Sequence, residues 1–516
     1  MLRGGIVGYD AERVRVWGAF LVSRESVVSR PPHLKKNQKM SLFVRRAVFP
    51  PLFALLLVGC ASVGPNHAPP DISLADRWQA PLPHGGSAAQ LRDWWAQFAD
   101  PVLLTLLESA AATHPNLQRA LAAIQEARAT LSVRQADGLP RVDASATLLR
   151  SGNRSTPPPG PSGNMILPET TTQSSAGDAK WELDLFGGVQ RATEAATARL
   201  MGREGNWHDA QVSLAAEVAS KYVNYRACRQ LLKQTTREME SRRESLQMTE
   251  KAVAAGLTPA TEARLAAVRL SESTGALTAQ QATCDLAVKS LCSLSGLEEP
   301  VVRALLQSGR EAMPRPTGFV VASLPADLLT QRPDLAALER ELAASSAEVG
   351  VAEASRYPRL TLLGNLAISS VQMTHLTLGT QPWSLGSSLV LPLLDGGARV
   401  ARVEEAQARY EQALARYLGA IRVAVEEVEA ALVNLESARR RAEDAHAVTA
   451  QHAANHQTAE RFWRAGGSSR LALLEVERAL LAAERAEIGV QRELVQSWIA
   501  LYKALGGGWA VDVAEK

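Results

Sequence analysis

The sequence predicts a mainly α-helical chain, built as a tandem repeat, in which four short β-strands alternate with long coiled-coil helices. Three observations predict this class: two halves of the chain share an order of landmarks, period-2 segments occur at equivalent places in both halves, and long proline-free stretches have heptad spacing. The chain has 516 residues, of which 46% are hydrophobic and only 5% aromatic. This composition can bury a core and favours helices over an aromatic-rich β core.

An apolar run precedes Cys60 and indicates a signal peptide. Residues 40–60 read MSLFVRRAVFPPLFALLLVGC, in which two arginines precede an apolar run, as is typical of a secretory signal at 40–59. A small residue directly before a cysteine matches the lipobox of bacterial lipoproteins. We therefore expect Cys60 to carry a covalent diacylglycerol and an acyl chain. The alternative, a transmembrane helix, needs about 20 apolar residues, more than this run supplies.

Residues 1–39 are expected to be a misassigned N-terminal extension, because a signal peptide needs its charged start close to its apolar run and Met40 is the better initiator. This extension carries eight Lys/Arg and three Asp/Glu, so removing it takes the net charge from +3 to −2. The rest of the chain lacks a basic field with interleaved aromatic residues, which excludes the electrostatic case for nucleic acid binding. No acidic residue directly follows Cys60, so outer-membrane delivery is expected.

Matching landmarks define the tandem repeat. HPNL at 114–117 corresponds to RPDL at 332–335, and GLPR at 138–141 corresponds to RYPR at 356–359, both at an offset of 218 positions. The expected domains are a 60–110 N-terminal anchor and equatorial segment, a 111–300 first repeat, a 301–325 linker, a 326–510 second repeat and a 511–516 tail.

Each repeat is expected to contain a pair of strands. After Pro140, apolar residues alternate with polar ones such as Asp143 and Thr147, which predicts a strand at about 139–151 with one apolar and one polar face. A Pro/Gly/Ser/Thr-rich loop at 151–175 and a second strand at about 175–186 follow. The second repeat predicts strands at about 358–370 and 383–394, separated by a loop near 371–382. The glycines expected at the passage from strand to helix are Gly187, Gly396 and Gly397.

Long helices follow each strand pair. From Gly397 to about residue 465 the chain has no proline, and apolar residues recur at heptad spacing. They are Val403, Tyr410, Leu414, Tyr417, Ile421, Ala424, Val428 and Leu435. The corresponding stretch at 189–255 has the same length, and each would be on the order of 100 Å long. We expect Gly256 and Gly466 to make the hairpin turns, because glycine accepts the left-handed conformation that ends a helix.

The remaining cysteines and histidines give no sign of metal or catalytic chemistry. Cys228 and Cys284 are each 28 residues from Gly256, so antiparallel helices allow a disulfide between them, but two buried free thiols are the preferred interpretation. His452 and His456 are four residues apart on a predicted helix, but no third ligand or catalytic glutamate accompanies them. Phosphate-binding loops, GxSxG and HExxH are also missing. No metal, no cofactor and no enzymatic activity are expected.

Four strands of about ten residues each can cross an outer membrane, but membrane barrels need at least eight strands to close without an exposed edge. One chain is therefore too few, and two or three copies would have to complete a barrel.

The chain resembles the outer membrane factor (TolC-like) family, in its lipoprotein branch of the NodT type, which serves resistance-nodulation-division pumps. The resemblance covers nearly all of residues 60–510 and rests on the order of several motifs. They are VGPN after Cys60, the Trp94-Trp95 to Phe98 cluster before Asp100-Pro101, WELDLFGG at 181, LPADLLTQRPDL at 324, RYPRLTL at 356, LPLLDGG at 391 and LALLEVERAL at 471. The resemblance implies a homotrimer with a 12-stranded β-barrel in the outer membrane and an α-helical barrel in the periplasm. It also implies a periplasmic adaptor (membrane fusion) protein and an inner-membrane pump as partners.

The resemblance further implies a constricted periplasmic aperture near the hairpin turns. Aligned through Gly466, the family's acidic aperture residue falls on Glu475, with Arg478 one turn later. Where many members have a second acidic residue, this chain has Ala472. The first-repeat counterparts are Glu262 and Arg264. A solvated helix face is the preferred interpretation for Glu262, Arg264 and Arg478.

The function implied by the resemblance is a conduit that exports small molecules such as drugs, toxic compounds or metal ions. Two alternatives stay open. One is a type I-like secretion channel of the same architecture, and the other is a coiled-coil structural or adhesive surface lipoprotein. The polar strand face, which includes Asp143 and Asn365, favours a water-filled bore over a rod.

Overall fold

The computed structural model describes residues 62–70, 94–152, 169–310, 312–314, 332–373 and 376–508. The chain divides into two units, Met1–Val58 and Gly59–Lys516, and every described residue belongs to the second. Cys60, the signal peptide and the extension at 1–39 lie outside the described residues. So do most of the loop at 151–175, much of the linker at 301–325 and the tail at 511–516.

The described part of the chain is mostly helical. In chain order its α-helices are α1 (Pro101–Thr113), α2 (Pro115–Ala136), α3 (Gly188–Ala254), α4 (Ala260–Ser295), α5 (Glu299–Ser308), α6 (Pro333–Ala354), α7 (Ala398–Arg464) and α8 (Arg470–Ala504). Short 3-10 helices lie at Trp94–Phe98 and Gly506–Gly508. The two repeats match closely in length: α2 and α6 have 22 residues each, and α3 and α7 have 67 each.

One antiparallel sheet contains strands from both repeats. Its strands are β1 (Arg141–Ser151), β2 (Thr170–Leu183), β3 (Arg359–Met373), β4 (Leu376–Thr380) and β5 (Trp383–Val390). The strand β2 pairs with β1 and β3, while β3 pairs with β5 along its first half and with β4 at its far end. Among the described strands, β1 and β5 therefore form the two long outer edges of the sheet.

Three predicted boundaries are wrong. The second strand begins at Thr170 rather than near 175, because three threonines, which favour extended backbone, pair with the end of β1. Most of the loop expected at 371–382 is β structure, since β3 continues to Met373 and pairs with β4. The last strand ends at Val390 rather than 394, just before Pro392, which lacks the N–H needed for a ladder hydrogen bond.

The heptad pattern identified the core of the second repeat. Six of its eight positions are buried: Val403, Tyr417, Ile421, Ala424, Val428 and Leu435. Tyr410 and Leu414 are partly buried and pack against the same core. This core also takes in residues of α1, α3, α4 and α8, so the long helices of both repeats pack into one cluster.

A buried polar cluster fixes the equatorial segment to α3. Asp100 caps α1 by accepting the backbone N–H of Val102 at 3.1 Å, and it also accepts a hydrogen bond from the Tyr222 hydroxyl. Arg226 donates from Nε to the same hydroxyl at 2.7 Å. All three side chains are buried, so the positive guanidinium and the carboxylate compensate each other inside the core.

The expected linker at 301–325 contains most of a helix. The helix α5 ends at Ser308, and Val302 and Leu306 on its apolar face join the main core. The linker prediction is therefore wrong for residues 301–308, where the i, i+4 spacing of these two apolar residues was the available signal.

The preference for two free thiols at Cys228 and Cys284 is wrong. Cys228 of α3 and Cys284 of α4 form a disulfide, and Cys292 is a free thiol. Within the described residues, none of the helices combines the length and apolar character needed to cross a membrane.

Candidate functional site

The sheet has two chemically different faces. Because side chains alternate along a strand, paired residues on neighbouring strands share a face. One face carries Asp143, Asp178, Asn365 and Ser384 in register, and Asn365 donates to the Asp178 carboxylate at 2.7 Å. The other face carries large apolar side chains that are exposed in the single chain. They include Val142, Leu148, Leu366, Ile368, Trp383, Leu385 and Leu389. Leu385 is 82% exposed, which is unfavourable for a strand facing water.

At the strand-to-helix junction, the predicted glycines have left-handed backbone conformations. Gly187 precedes α3 with φ 76°, and Gly397 precedes α7 with φ 88°. Gly396 has φ 65°. An aspartate supports each junction, through different backbone groups. Asp184 accepts the N–H of Gln190, the third residue of α3, at 2.8 Å. Asp395 accepts the N–H groups of Gly397 at 3.1 Å and of Arg399 at 3.2 Å.

The segment that follows Cys60 packs against the first junction. The Val63 N–H donates to the Phe186 carbonyl at 3.1 Å. Arg191 is buried and donates to the carbonyls of Val63 and Gly64 and to the Asn66 side chain at 2.7 Å. Residues 63–66 are thus held at the end of the sheet where the strands become helices, and no local pattern predicts this contact.

The two hairpin turns have the same construction. Gly256 has φ 72°, and the N–H groups of Gly256 and Leu257 return to the carbonyls of Val253 and Ala252, both at 2.9 Å. Gly466 has φ 76°, and Gly466 and Gly467 repeat both hydrogen bonds at 2.9 Å. This pair of bonds is the Schellman arrangement, which satisfies the last carbonyls of a helix.

An ion pair joins the two hairpins beside these turns. Arg470, the first residue of α8, donates two hydrogen bonds to Glu244 of α3, at 2.6 and 2.7 Å. Its guanidinium also lies 5.2 Å from the centre of the Trp463 ring, within cation–π distance. The hydrogen bonds from Arg470 lower the pKa of Glu244 and raise the pKa of Arg470 itself.

Three of the four aperture candidates come together. Glu262, Glu475 and Arg478 line one groove between α3, α4 and α8. The Glu475 side chain is 66% exposed and accepts a hydrogen bond from Arg478. Arg264 is exposed and is not among the residues that line this groove.

The solvated face expected for Arg478 is wrong. Its side chain is 8% exposed, and its Nη1 donates to the hydroxyls of Ser241 and Ser245 on α3, both at 3.0 Å. These partners precede Arg478 by more than 230 positions, so its burial depends on packing between the two repeats.

Sequence reasoning missed two other arginines of the groove, Arg242 and Arg269. Burial and the neighbouring guanidinium of Arg478 lower the pKa of Arg242. A lone arginine on a helix gives no local signal of such a cluster. Elsewhere in the described part of the chain, His452 and His456 belong to no group of three potential metal ligands.

Known proteins match most of the length of this chain. Residues 106–297 and 324–507 match the outer membrane efflux protein family. The chain is 29% identical over 468 residues to nodulation protein T of Rhizobium leguminosarum bv. trifolii, which covers 89% of this chain and 97% of that protein. It is 29% identical over 461 residues to outer membrane protein OprJ of Pseudomonas aeruginosa, covering 89% and 95% respectively. The solved structure of the outer-membrane channel OprN is 30% identical with a TM-score of 0.72, covering 87% of this chain and 99% of that one.

The family match spans most of the chain and falls into two ranges, which agree with the tandem repeat. The sequence resemblance to outer-membrane channels is therefore confirmed, and the chain belongs to the outer membrane efflux protein family.

Proposed function

We propose that this chain is the outer-membrane channel subunit of a tripartite efflux system. It acts as a passive conduit for small molecules, which pass from the periplasm or an inner-membrane resistance-nodulation-division pump to the exterior. The channel itself performs no chemical reaction. Its partners are a periplasmic adaptor protein and the inner-membrane pump.

The two-faced sheet is the observation that carries this proposal. An exposed apolar face with Leu366 and Leu385 suits contact with lipid, whereas the opposite face with Asp143, Asp178 and Asn365 suits contact with water. A surface adhesin built on coiled coils has no need for this division. The alternative of a structural lipoprotein is therefore disfavoured.

Three copies of the chain complete the channel. In one chain, β1 and β5 leave their outer backbone groups without a described neighbour, and each such group in hydrocarbon costs several kcal/mol. Pairing β5 of one copy with β1 of the next satisfies them. Four long strands from each of three copies give a 12-stranded barrel, whose helices continue as a tunnel in the periplasm.

Cys60 anchors the mature chain in the outer membrane through its lipid. Support comes from the lipobox and from the contacts of residues 63–66, which hold the following segment at the junction between strands and helices.

Glu475 faces the aqueous path near the periplasmic end. Its support is its exposed side chain, nine residues after the Gly466 turn, and its contact with Arg478. Three copies of such a carboxylate form a ring that attracts cations.

Deletion of the gene tests the proposed function. We expect increased susceptibility to at least one class of drug, solvent or metal ion, with recovery on expression of the intact chain. The purified protein should also form channels of uniform conductance in planar bilayers. Unchanged tolerance across broad panels, together with no conductance, would refute the proposal.

A further inference from the structure

The groove beside the hairpin turns has an excess of positive charge. Three guanidiniums, from Arg242, Arg269 and Arg478, face two carboxylates, from Glu262 and Glu475. Glu475 is mostly in solvent and already accepts a hydrogen bond from Arg478. Arg242 also lies 3.7 Å from Glu238, but Glu238 is shared with Arg485, at 2.5 Å. The groove therefore retains uncompensated positive charge.

Arg478 has a donor that is not used within the described chain. Its side chain is more than nine-tenths buried, and both terminal nitrogens are hydrogen-bonded, but its Nε has no hydrogen-bond partner. A buried donor without a partner costs free energy, so such a group commonly marks the place of a missing acceptor. The Nε itself is enclosed beside the groove that Arg478 lines, so an acceptor in the groove would reach it only after the surrounding side chains shift.

The neighbouring side chains suit an oxyanion. Ser245 brings a hydroxyl group to the same groove; this hydroxyl accepts from Arg478 and can still donate, whereas the Thr249 hydroxyl already donates to the Ser245 carbonyl at 2.8 Å. In addition to burial, the guanidiniums of Arg478 and Arg269 both lower the pKa of Arg242, because a like charge disfavours its charged form. An anion bound between these groups would favour the charged form instead. Guanidinium groups bind carboxylates and other oxyanions through short, charge-assisted hydrogen bonds.

We propose that this groove binds an oxyanion, held by Arg242, Arg269 and Arg478. The oxyanion is either a free small anion or a carboxylate of an acidic polypeptide that reaches the periplasmic tip. This site goes beyond the proposed conduit function, because passage of solutes through the tunnel does not require it.

Hydrogen exchange of the detergent-extracted channel tests the site. Sulfate is titrated against chloride at equal ionic strength, and exchange is followed in peptides that contain residues 238–250 and 470–480. We expect saturable slowing of exchange by sulfate. Arg242→Gln and Arg269→Gln should each raise the half-saturating concentration roughly tenfold, as expected for loss of a charge-assisted hydrogen bond. Arg264→Gln is the matched control, since it removes the same charge from α4 outside the groove and should change nothing.

A second titration with hexaglutamate distinguishes the source of the anion. Saturation at a much lower concentration than sulfate identifies an acidic polypeptide as the ligand, and similar concentrations identify a free oxyanion. Slowing by neither probe, or equal loss of slowing in Arg264→Gln and Arg242→Gln, overturns the proposal. Single-channel conductance of the same preparation shows independently whether the channel is intact.

Discussion

At the scale of single residues, charge pairs between the two hairpins decide how the region near the turns behaves. The Glu244–Arg470 pair joins α3 to α8, and its pKa changes make it sensitive to acid. Arg478, by contrast, is buried and donates to the hydroxyls of two serines. Its role depends on these contacts more than on its being an arginine.

The Glu244–Arg470 pair should weaken in acid. Arg470 holds the pKa of Glu244 below its ordinary 4.5, so the stabilisation is present above 4.5 and is lost as the pH falls through the lowered value. Both side chains are partly exposed, so the loss should be at most about 1 kcal/mol. Protection from hydrogen exchange in the first turns of α8, taken relative to the intrinsic rate at each pH, should fall below pH 4.5 in the natural protein. Glu244→Gln should have the lower protection at all pH values, and a pH dependence of protection equal to that of the natural protein would contradict the assignment.

Glu475→Gln should reduce the preference of the channel for cations, because it removes one carboxylate per chain from the proposed ring. The reversal potential in a salt gradient across a planar bilayer measures this. Glu477→Gln is the control, since Glu477 lies on the same helix but near Arg237 of α3. Equal shifts in both variants, or none in either, would remove Glu475 from the aqueous path.

The candidate residues were only partly predictable from sequence. Glu475 could be placed near a turn because Gly466 marks that turn locally. The burial of Arg478 could not be predicted, because its partners Ser241 and Ser245 lie in the other repeat. The same holds for Arg191, whose partners are backbone carbonyls more than 120 positions away.

At the scale of elements, local sequence patterns predict the turns and most of the strands. Proline-free heptads predicted α7 and its buried positions, and glycine predicted both turns. The short strand β4 was missed, because LTLGT is apolar in alternation but too brief to distinguish from a loop. Its pairing with the end of β3 supplies the stability that its own five residues lack.

Replacing the turn glycine should destabilise the second hairpin through the backbone alone. A Cβ at Gly466 meets no atom within 4 Å, but φ is 76°. Gly466→Ala should therefore cost about 1–2 kcal/mol, the penalty of a left-handed conformation for an ordinary residue. Gly489→Ala, in the interior of α8 and also in open space, should stabilise by about 0.5–1 kcal/mol. Denaturant unfolding of the helical part measures both, and a Gly466→Ala variant as stable as the natural protein would refute the argument.

An arginine introduced at Leu385 or at the neighbouring Ser384 of β5 should have different effects on membrane insertion. Leu385→Arg places a cation on the apolar face and should reduce insertion into the outer membrane. Near the bilayer centre this substitution should destabilise the inserted protein by about 2–4 kcal/mol. Ser384→Arg places the same cation on the opposite face and should leave insertion intact while changing conductance. Insertion is measured by the heat-dependent change in gel mobility of the protein recovered in the membrane fraction. Equal insertion of the two variants would contradict the assignment of faces.

At the scale of the whole molecule, the tandem repeat limits what one chain can complete. The first repeat contributes β1 and β2, the second contributes β3, β4 and β5, and each contributes one long helical hairpin. The pairing of β2 with β3 joins the strands of both repeats into a single sheet. Within the described strands, the exposed apolar face of that sheet and the outer edges of β1 and β5 are consistent with the proposed closure by further copies.

The detergent-extracted protein should have the mass of three chains. Light scattering coupled to size-exclusion chromatography, corrected for bound detergent, measures it. Cysteines introduced in β1 and β5, at positions offset from the Asp143–Ser384 row because a tilted barrel closes with a shear, should cross-link one chain to the next. The same cysteines introduced singly should not cross-link. A stable monomer in mild detergent would contradict the proposed closure.

The equal lengths of α3 and α7, 67 residues each, limit the insertions and deletions that this chain can accept during evolution. Adding one residue to either helix would advance its tip by about 1.5 Å and rotate the following turn by about 100°. The turns at Gly256 and Gly466 would then no longer end at a common level. Insertions and deletions should therefore be tolerated in the strand loops, whereas in the long helices they should survive only as matched changes in both repeats.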